Sequence, residues 1–295
     1  MDMNTQQADL RPLLDVRDVT LQYKTKAHLV TATYRVNFQV FKSDRYVLLG
    51  PSGCGKSTLL KAVGGYMTPT EGEIRLKDKL ITRPGPDRMM VFQEFDQLLP
   101  WKTVKENVMF PLCSTGRQCG KAAEDKAMQY IEKVNLAKFA NHYPHMLSGG
   151  MKQRVAIARS LAYEPDVLLM DEPFAALDAQ TREQLQDELL RIWRATGKTI
   201  VFITHGIDEA VYLGERVAVL SARPGRLKEI VDIDIRDREG DEDIRSHPAF
   251  VEHRHQVWTL LHDEVRRAQD AGHRKILPDG SAPDEPATIP ERSAA

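Results

Sequence analysis

Gly50-Pro51-Ser52-Gly53-Cys54-Gly55-Lys56-Ser57-Thr58 sets two glycines five positions apart and follows the second with a lysine and a hydroxyl residue. That order of residue types suits a polyphosphate. Glycines let backbone N–H groups turn inward on an anion, and a helix starting at the lysine adds the partial positive charge of its N-terminus. Lys56 would then reach the outer phosphates, and Ser57 would offer its hydroxyl to the Mg²⁺ that nucleotides carry.

The flanking residues supply the required frame. Tyr46-Val47-Leu48-Leu49 reads as a buried strand entering the loop, and Leu59-Leu60-Lys61-Ala62-Val63 as the first turns of a helix leaving it. A second site begins where the apolar run Leu168-Leu169-Met170 ends in Asp171-Glu172. Behind a phosphate loop, Asp171 would hold Mg²⁺ through water, and Glu172, pointing to the other side of the strand end, would polarise an attacking water. A third stretch is Leu147-Ser148-Gly149-Gly150-Met151-Lys152-Gln153-Arg154. Ser148 is placed to cap a helix running through Ile157 to Leu161, and the paired glycines make a second anion-binding helix start.

The chain's 295 residues, 42% hydrophobic, can bury a full core. Forty-one basic against 42 acidic residues leave a net charge of −1, which excludes bulk attraction to nucleic acid or anionic lipid. No uncharged apolar run approaches the roughly 18–20 residues that span a bilayer, and Met1 to Arg11 is polar, so a cytosolic chain reaching any membrane through a protein partner is expected. Cys54, Cys113 and Cys119 have no metal-ligand spacing and are expected to be reduced thiols.

Strands are expected at Leu14 to Tyr23 and Tyr34 to Phe41 ahead of the loop, a hairpin over Ile74 to Ile81, and a buried strand at Met89 to Phe92. From Val104 to about Tyr163 the pattern turns helical, including Ala122 to Val134 with Met128, Ile131 and Val134 on one face. Strand, helix, strand then follow at Val167 to Met170, Ala179 to Arg194 (stripe Leu185, Leu189, Ile192, Trp193) and Thr199 to Thr204, which predicts parallel pairing. Two further strands are expected at Arg216 to Ser221 and Leu227 to Ile235. The charged stretch Arg236 to Asp243 reads as a solvated connection, and Phe250, Val257, Trp258, Leu261 and Val265 as the apolar side of a last helix. His253 and His255 diverge on such a helix and form no metal site. The fold class is α/β: a RecA-like phosphate-loop core with an inserted helical subdomain at about 95–163 and an antiparallel β region on the N-terminal side. A C-terminal helical extension covers 236–271, and the proline-bearing 272–295 reads as a disordered tail.

Over roughly residues 14 to 235 the sequence resembles the ATP-binding cassette family, whose signature is Leu-Ser-Gly-Gly-x-x-Gln-Arg. The resemblance implies an ATPase that uses ATP and Mg²⁺. It implies that Gln93 senses the metal and the γ-phosphate, that Ala176-Leu177-Asp178 bridges two subunits, and that His205 hydrogen-bonds the γ-phosphate. It also implies that Ser148, Gly149 and Gly150 close the site of a second copy, and that an aromatic stacks on adenine, at Tyr23 or, because Lys24 to Thr33 is long for the family, at Tyr34. Gly64, where an alanine is usual, and the segment Gly116 to Gly120 depart from the pattern.

Asp87 to Glu94 with Leu98 to Trp101, and Ile203 to Ala210, are similar to the importer subfamily for nitrate, sulfonates and taurine. That likeness implies a peripheral ATPase subunit on the cytoplasmic face of the cell membrane, working with two membrane-spanning permease subunits and, indirectly, an external solute-binding protein. The link from Glu94 to Trp101, with Phe95, Leu98, Leu99 and Trp101, is expected to be partly exposed and to form a groove for a short permease helix, or else to pin the subdomain to the core. The alternative function is a cytosolic cassette ATPase acting on nucleic acid or ribosomes. Against it stand the short distance from Lys56 to Leu147, which leaves no room for a long coiled coil, and the presence of one cassette rather than two.

Overall fold

The computed structural model describes residues 11–24, 29–94, 97–175, 177–235 and 244–273. Phe95, Ala176, the connection 236–243 and the tail from 274 onward lie outside the described residues.

Two sheets organise the chain. Strands β1 (Leu14–Lys24), β2 (Leu29–Val40), β4 (Glu71–Leu76) and β5 (Lys79–Leu80) form an antiparallel sheet in the order β2-β1-β4-β5. Strands β3 (Arg45–Leu49), β6 (Arg88–Val91), β7 (Val167–Asp171), β8 (Thr199–Thr204), β9 (Arg216–Leu220) and β10 (Leu227–Asp232) form the second, ordered β10-β9-β3-β8-β7-β6. Its central pairs are parallel, as strand–helix–strand connections require, and only β10 runs antiparallel on β9.

The central strands are apolar on both faces because both faces are covered. Val47, Leu49, Leu168, Met170, Phe202 and Val219 point into one core shared with the helices, while Tyr46, Leu48, Leu169, Val201 and Ile203 point into a second core shared with the antiparallel sheet. Each such side chain is worth roughly 1.5–3 kcal/mol on burial, so a register slip that exchanged the two faces would disrupt both cores together.

Helix α1 (Lys56–Val63) follows β3. At Gly64, the departure noted in the sequence, a Cβ would lie 2.8 Å from the ring of Tyr66, so that ring fills the space of the missing methyl. Helices α2 (Val104–Ser114), α3 (Gly120–Lys133) and α4 (Gly149–Ala162) are inserted between β6 and β7. Thr103 and Glu106 form a capping box that starts α2. The face that α3 buries is Ala123, Ala127, Tyr130 and Ile131; Met128, expected on it, is only partly buried, since the small alanines allow the close approach to the neighbouring helices. Helix α5 (Ala179–Thr196) buries Leu185, Leu189, Leu190 and Ile192, and its Trp193, partly buried against the same core, also lies under the Arg45 guanidinium, 4.0 Å from ring centroid to Cζ. Helix α6 (Ile207–Leu213) leads back to the sheet.

Helix α7 (Pro248–His273) runs two residues past the expected end of the extension at 271. Phe250, Val257 and Leu261 are buried, but Trp258 is 46% exposed and stacks between His255 and His262 on its own helix. The sequence stripe is therefore too wide: a tryptophan at helical spacing beside Val257 falls on the edge of the buried face rather than in it. No helix among the described residues is long and apolar enough to cross a membrane.

Candidate nucleotide site

The loop from Gly50 to Lys56 folds over the start of α1. Gly53 and Gly55 have φ of +78° and +101°, backbone shapes open to glycine and strained for other residues. At Gly55 a Cβ would also lie 2.7 Å from the carbonyl oxygen of Ala32, so the loop is packed against β2 where no side chain fits. Lys56 is buried, and its ammonium donates to the carbonyls of Gly50 at 2.8 Å and Pro51 at 3.0 Å. Those two carbonyls hold the cation at the mouth of the loop while leaving it a donor for an incoming phosphate. Cys54 is buried beneath the loop, and burial pushes its thiol pKa up.

Ser57 donates its hydroxyl to Asp171 Oδ1 at 2.8 Å, joining two elements that are far apart in sequence. Burial raises the pKa of Asp171, opposed by the Ser57 hydrogen bond, and the adjacent Glu172 pushes in the same direction as burial. A divalent cation placed there would relieve both costs. Among the described residues no three His, Cys, Asp or Glu side chains converge to hold a metal unaided, so such an ion would take ligands from the nucleotide. The pair Ser57 and Asp171 fits Mg²⁺, a cation that prefers hydroxyl, carboxylate, water and phosphate oxygens.

Glu172 sits at φ +44°, a left-handed conformation that costs about 1–2 kcal/mol in a non-glycine residue. It lines the cavity of the phosphate loop, and His205 Nδ1 lies 3.2 Å from its Oε2, although His205 itself lines a neighbouring cavity with Phe174, Arg182 and Glu209 rather than this one. Thr204, the last residue of β8, sets this histidine's loop: its hydroxyl donates to Glu209 Oε2 at 2.7 Å and accepts from the N–H of Gly206 at 2.9 Å. Burial pushes the Glu209 pKa up, and its Oε1 has no partner among the described residues.

Residues Tyr23, Ala32, Ser52, Gly53, Gly55, Lys56, Ser57, Thr58, Glu172 and Arg223 line one cavity of about 310 Å³. The structure therefore brings together the phosphate loop, the Glu172 carboxylate and the aromatic Tyr23. Tyr34 is not part of the wall: Arg226 covers its ring at 4.3 Å. Gln93, just beyond β6, is exposed and does not line this cavity.

Ser148, Gly149 and Gly150 stand apart from it. Ser148 caps α4 by accepting from the Met151 N–H, and it is exposed. Gly150 is buried where a Cβ would lie 2.9 Å from Thr181, a close approach that ties α4 to α5. Asp178 caps α5 through the Thr181 N–H at 2.9 Å, a bond that holds its carboxyl below the usual range. Sequence reasoning missed Arg223 and the role of Glu209. Arg223 shares no motif with Tyr23, and only the pairing of distant strands brings the two side chains together.

The link ahead of α2 is held by a fully buried amide. Asn107 accepts from the Leu99 N–H at 2.8 Å and donates to the carbonyls of Leu99, Lys102 and Thr103. Leu98 is buried, Leu99 partly buried and Trp101 is 70% exposed. Near it, Met109, Phe110 and Cys113 line an open groove of about 430 Å³. Of the two expectations for the link, Leu98 fits the one that pins it to the core; Trp101 is exposed, but neither it nor Leu98 nor Leu99 lines this groove.

Residues 33–175 match the family model described as ABC transporter. An uncharacterized ABC transporter ATP-binding protein of Methanocaldococcus jannaschii is 47% identical over 258 residues, covering 86% of this chain and 93% of the relative. The taurine import ATP-binding protein of Rhizobium johnstonii is 46% identical over 245 residues, covering 81% and 93%. A solved ATP-binding cassette, a dimer in a post-hydrolysis state bound to ADP and Pi, superposes with a TM-score of 0.67 at 34% identity, covering 75% of this chain and 99% of that one.

Proposed function

The chain belongs to the ABC transporter family, and from that premise we propose that it is the ATP-hydrolysing subunit of an importer for a small solute such as nitrate, a sulfonate or taurine. The single observation that carries the catalytic half of this reading is the shared cavity in which Lys56, Ser57 and Glu172 meet. ATP enters with its phosphates on the loop from Gly50 to Thr58, its outer charge on Lys56 and its base on Tyr23. Ser57 and Asp171 would hold Mg²⁺, which would draw charge from the phosphate oxygens, and Gln93 would contribute its amide to that metal and the γ-phosphate. Glu172 accepts a proton from the attacking water, and His205, hydrogen-bonded to that carboxylate, steadies the γ-phosphate. Sequence likeness to importers for nitrate, sulfonates and taurine supports the solute class.

Ser148, Gly149, Gly150 and Asp178 act on the nucleotide of a second copy, an assignment supported by their place outside the chain's own cavity, by the exposure of Ser148 and Asp178, and by the dimeric form of the related cassette. Two permease subunits receive the motion on the cytoplasmic face of the membrane, with Trp101 and the groove beside Phe110 as the contact. Co-expression with the permease subunits and the external binding protein tests the proposal: solute should stimulate ATP hydrolysis in the assembled complex. Trp101→Ala should weaken association and remove stimulation while ATP binding by the isolated subunit stays near wild type. Hydrolysis indifferent to every solute and a subunit that never sediments with permease-bearing membranes would favour a cytosolic cassette ATPase.

A further inference from the structure

The cavity has an end that no motif describes. The turn between β9 and β10, Ser221 to Arg226, is locked to the phosphate loop and to β2: the Gly225 N–H donates to the Ala32 carbonyl at 2.9 Å, and the Tyr34 N–H donates to the Gly225 carbonyl at 2.9 Å. A Cβ at Gly225 would stand 2.2 Å from the carbonyl oxygen of Cys54, so this turn touches the phosphate loop backbone to backbone. From the other side the buried carboxylate of Glu264, on α7, accepts from the Ala222 N–H at 3.1 Å. The turn is thus clamped on three sides, and Arg223 at its tip lines the nucleotide cavity.

The Arg223 guanidinium donates to the phenol oxygen of Tyr23, and its Cζ lies 5.7 Å from the ring centroid. The cation is off-centre on the ring, near its hydroxyl end, and Tyr23 remains 36% exposed in the cavity wall. Among the described residues no carboxylate is ion-paired with Arg223, so its remaining N–H donors point to nothing stronger within the chain. A purine laid flat on Tyr23 would present ring-nitrogen acceptors at its edge, next to a planar fork already oriented by the phenol.

We propose that Arg223 extends the base contact already read at Tyr23, as a binding residue that recognises the base edge rather than the phosphates. The assignment rests on the reading of this cavity as an ATP site. The contact is a charge-assisted hydrogen bond in a partly enclosed pocket, which sets its expected weight at about tenfold in affinity.

Isothermal titration of the full-length chain with Mg-ATP and, separately, with Mg-tripolyphosphate separates the two ends of the cavity. Arg223→Ala should weaken ATP binding about tenfold and leave tripolyphosphate within about twofold of wild type. Arg223→Lys, which keeps the charge but loses the planar fork, should recover little of the ATP affinity. Unchanged ATP affinity in Arg223→Ala, equal losses for both ligands, or full recovery by lysine would each overturn the subsite. A wild-type chain that binds tripolyphosphate and not ATP would overturn the nucleoside end alone, whereas binding neither would overturn the nucleotide reading and this inference with it. Thermal unfolding of the variants, expected to match wild type because Arg223 is exposed, excludes a folding defect as the source of a loss.

Discussion

Helices α1 and α4 both begin beside glycines, yet α1 starts at Gly55 with φ +101° and no side-chain cap, whereas α4 starts at Ser148, whose hydroxyl already accepts from the Met151 N–H. The first leaves its early N–H groups for a ligand and buries Lys56 beside them. The second satisfies one donor itself and stands at the surface. One helix start is completed within a single chain by loop, strand end and cation; the other has its helix start, its glycines and its exposed serine but lies outside that cavity. The difference teaches that the α1 start is walled in by elements of its own chain, whereas the α4 start stands outside that cavity, which is the arrangement the proposed second copy would complete.

Breaking the α1 half should have the largest effect. Lys56→Ala removes the fixed cation from the developing phosphoryl charge and should lower kcat at least about 10³-fold. Steady-state ATPase assays check it, with circular dichroism showing the fold intact. Near-normal turnover would remove the phosphate-loop argument.

Glu172→Gln sharpens the comparison by keeping both halves while stopping chemistry. The amide keeps the shape but takes no proton from water, so hydrolysis should slow by about 10²- to 10⁴-fold with ATP still bound. Gel filtration with Mg-ATP should then show a dimer, the α4 half of each copy closing on the α1 half of the other. A protein that stays monomeric at high concentration counts against that pairing.

Ser148→Ala acts on the α4 half alone. Loss of the cap should cost about 0.5–2 kcal/mol of stability, read as a lowered urea midpoint. Monomer affinity for ATP should hold, and the ATP-dependent dimer of the Glu172→Gln background should weaken. Equal damage to monomer binding would mean that the two halves are coupled within one chain.

The smallest effect concerns pH at the neighbouring α5 cap. Hydrogen bonds from Thr181 lower the Asp178 pKa in the folded state, so its contribution to stability is present above the ordinary aspartate range and is lost as pH falls through the lowered value. Asp178→Asn keeps a capping oxygen without a titrating group and should flatten that acid limb of a melting-temperature profile. An unchanged limb would assign the acid dependence to other carboxylates, buried Asp171 being excluded by sign because its raised pKa makes stability fall as pH rises.

What was legible in the sequence was local. Gly50 to Thr58 is contiguous, so strand, loop, helix and the cation at Lys56 are specified by neighbours along the chain. Asp171 and Glu172 follow the same rule, since an apolar strand must end somewhere and its last residues reach the sheet edge. The antiparallel and parallel sheets were legible because period-2 burial and strand–helix–strand order leave marks on composition. Trp258 was misread for the complementary reason: helical spacing says which residues share a side, not how wide the neighbouring surface is.

The sequence by itself determined the phosphate-binding chemistry, the parallel core and the family likeness, because each rests on residues within one or two turns or strands of one another. Only the tertiary structure decided between Tyr23 and Tyr34 as the aromatic in the cavity wall, set Arg223 against Tyr23, and placed Ser148 outside the cavity of its own chain. Those facts depend on which strands pair and which turns pack, as when the Gly225 backbone docks on Ala32 and Cys54. Such contacts join segments that are far apart in sequence, and side-chain type alone carries no record of them.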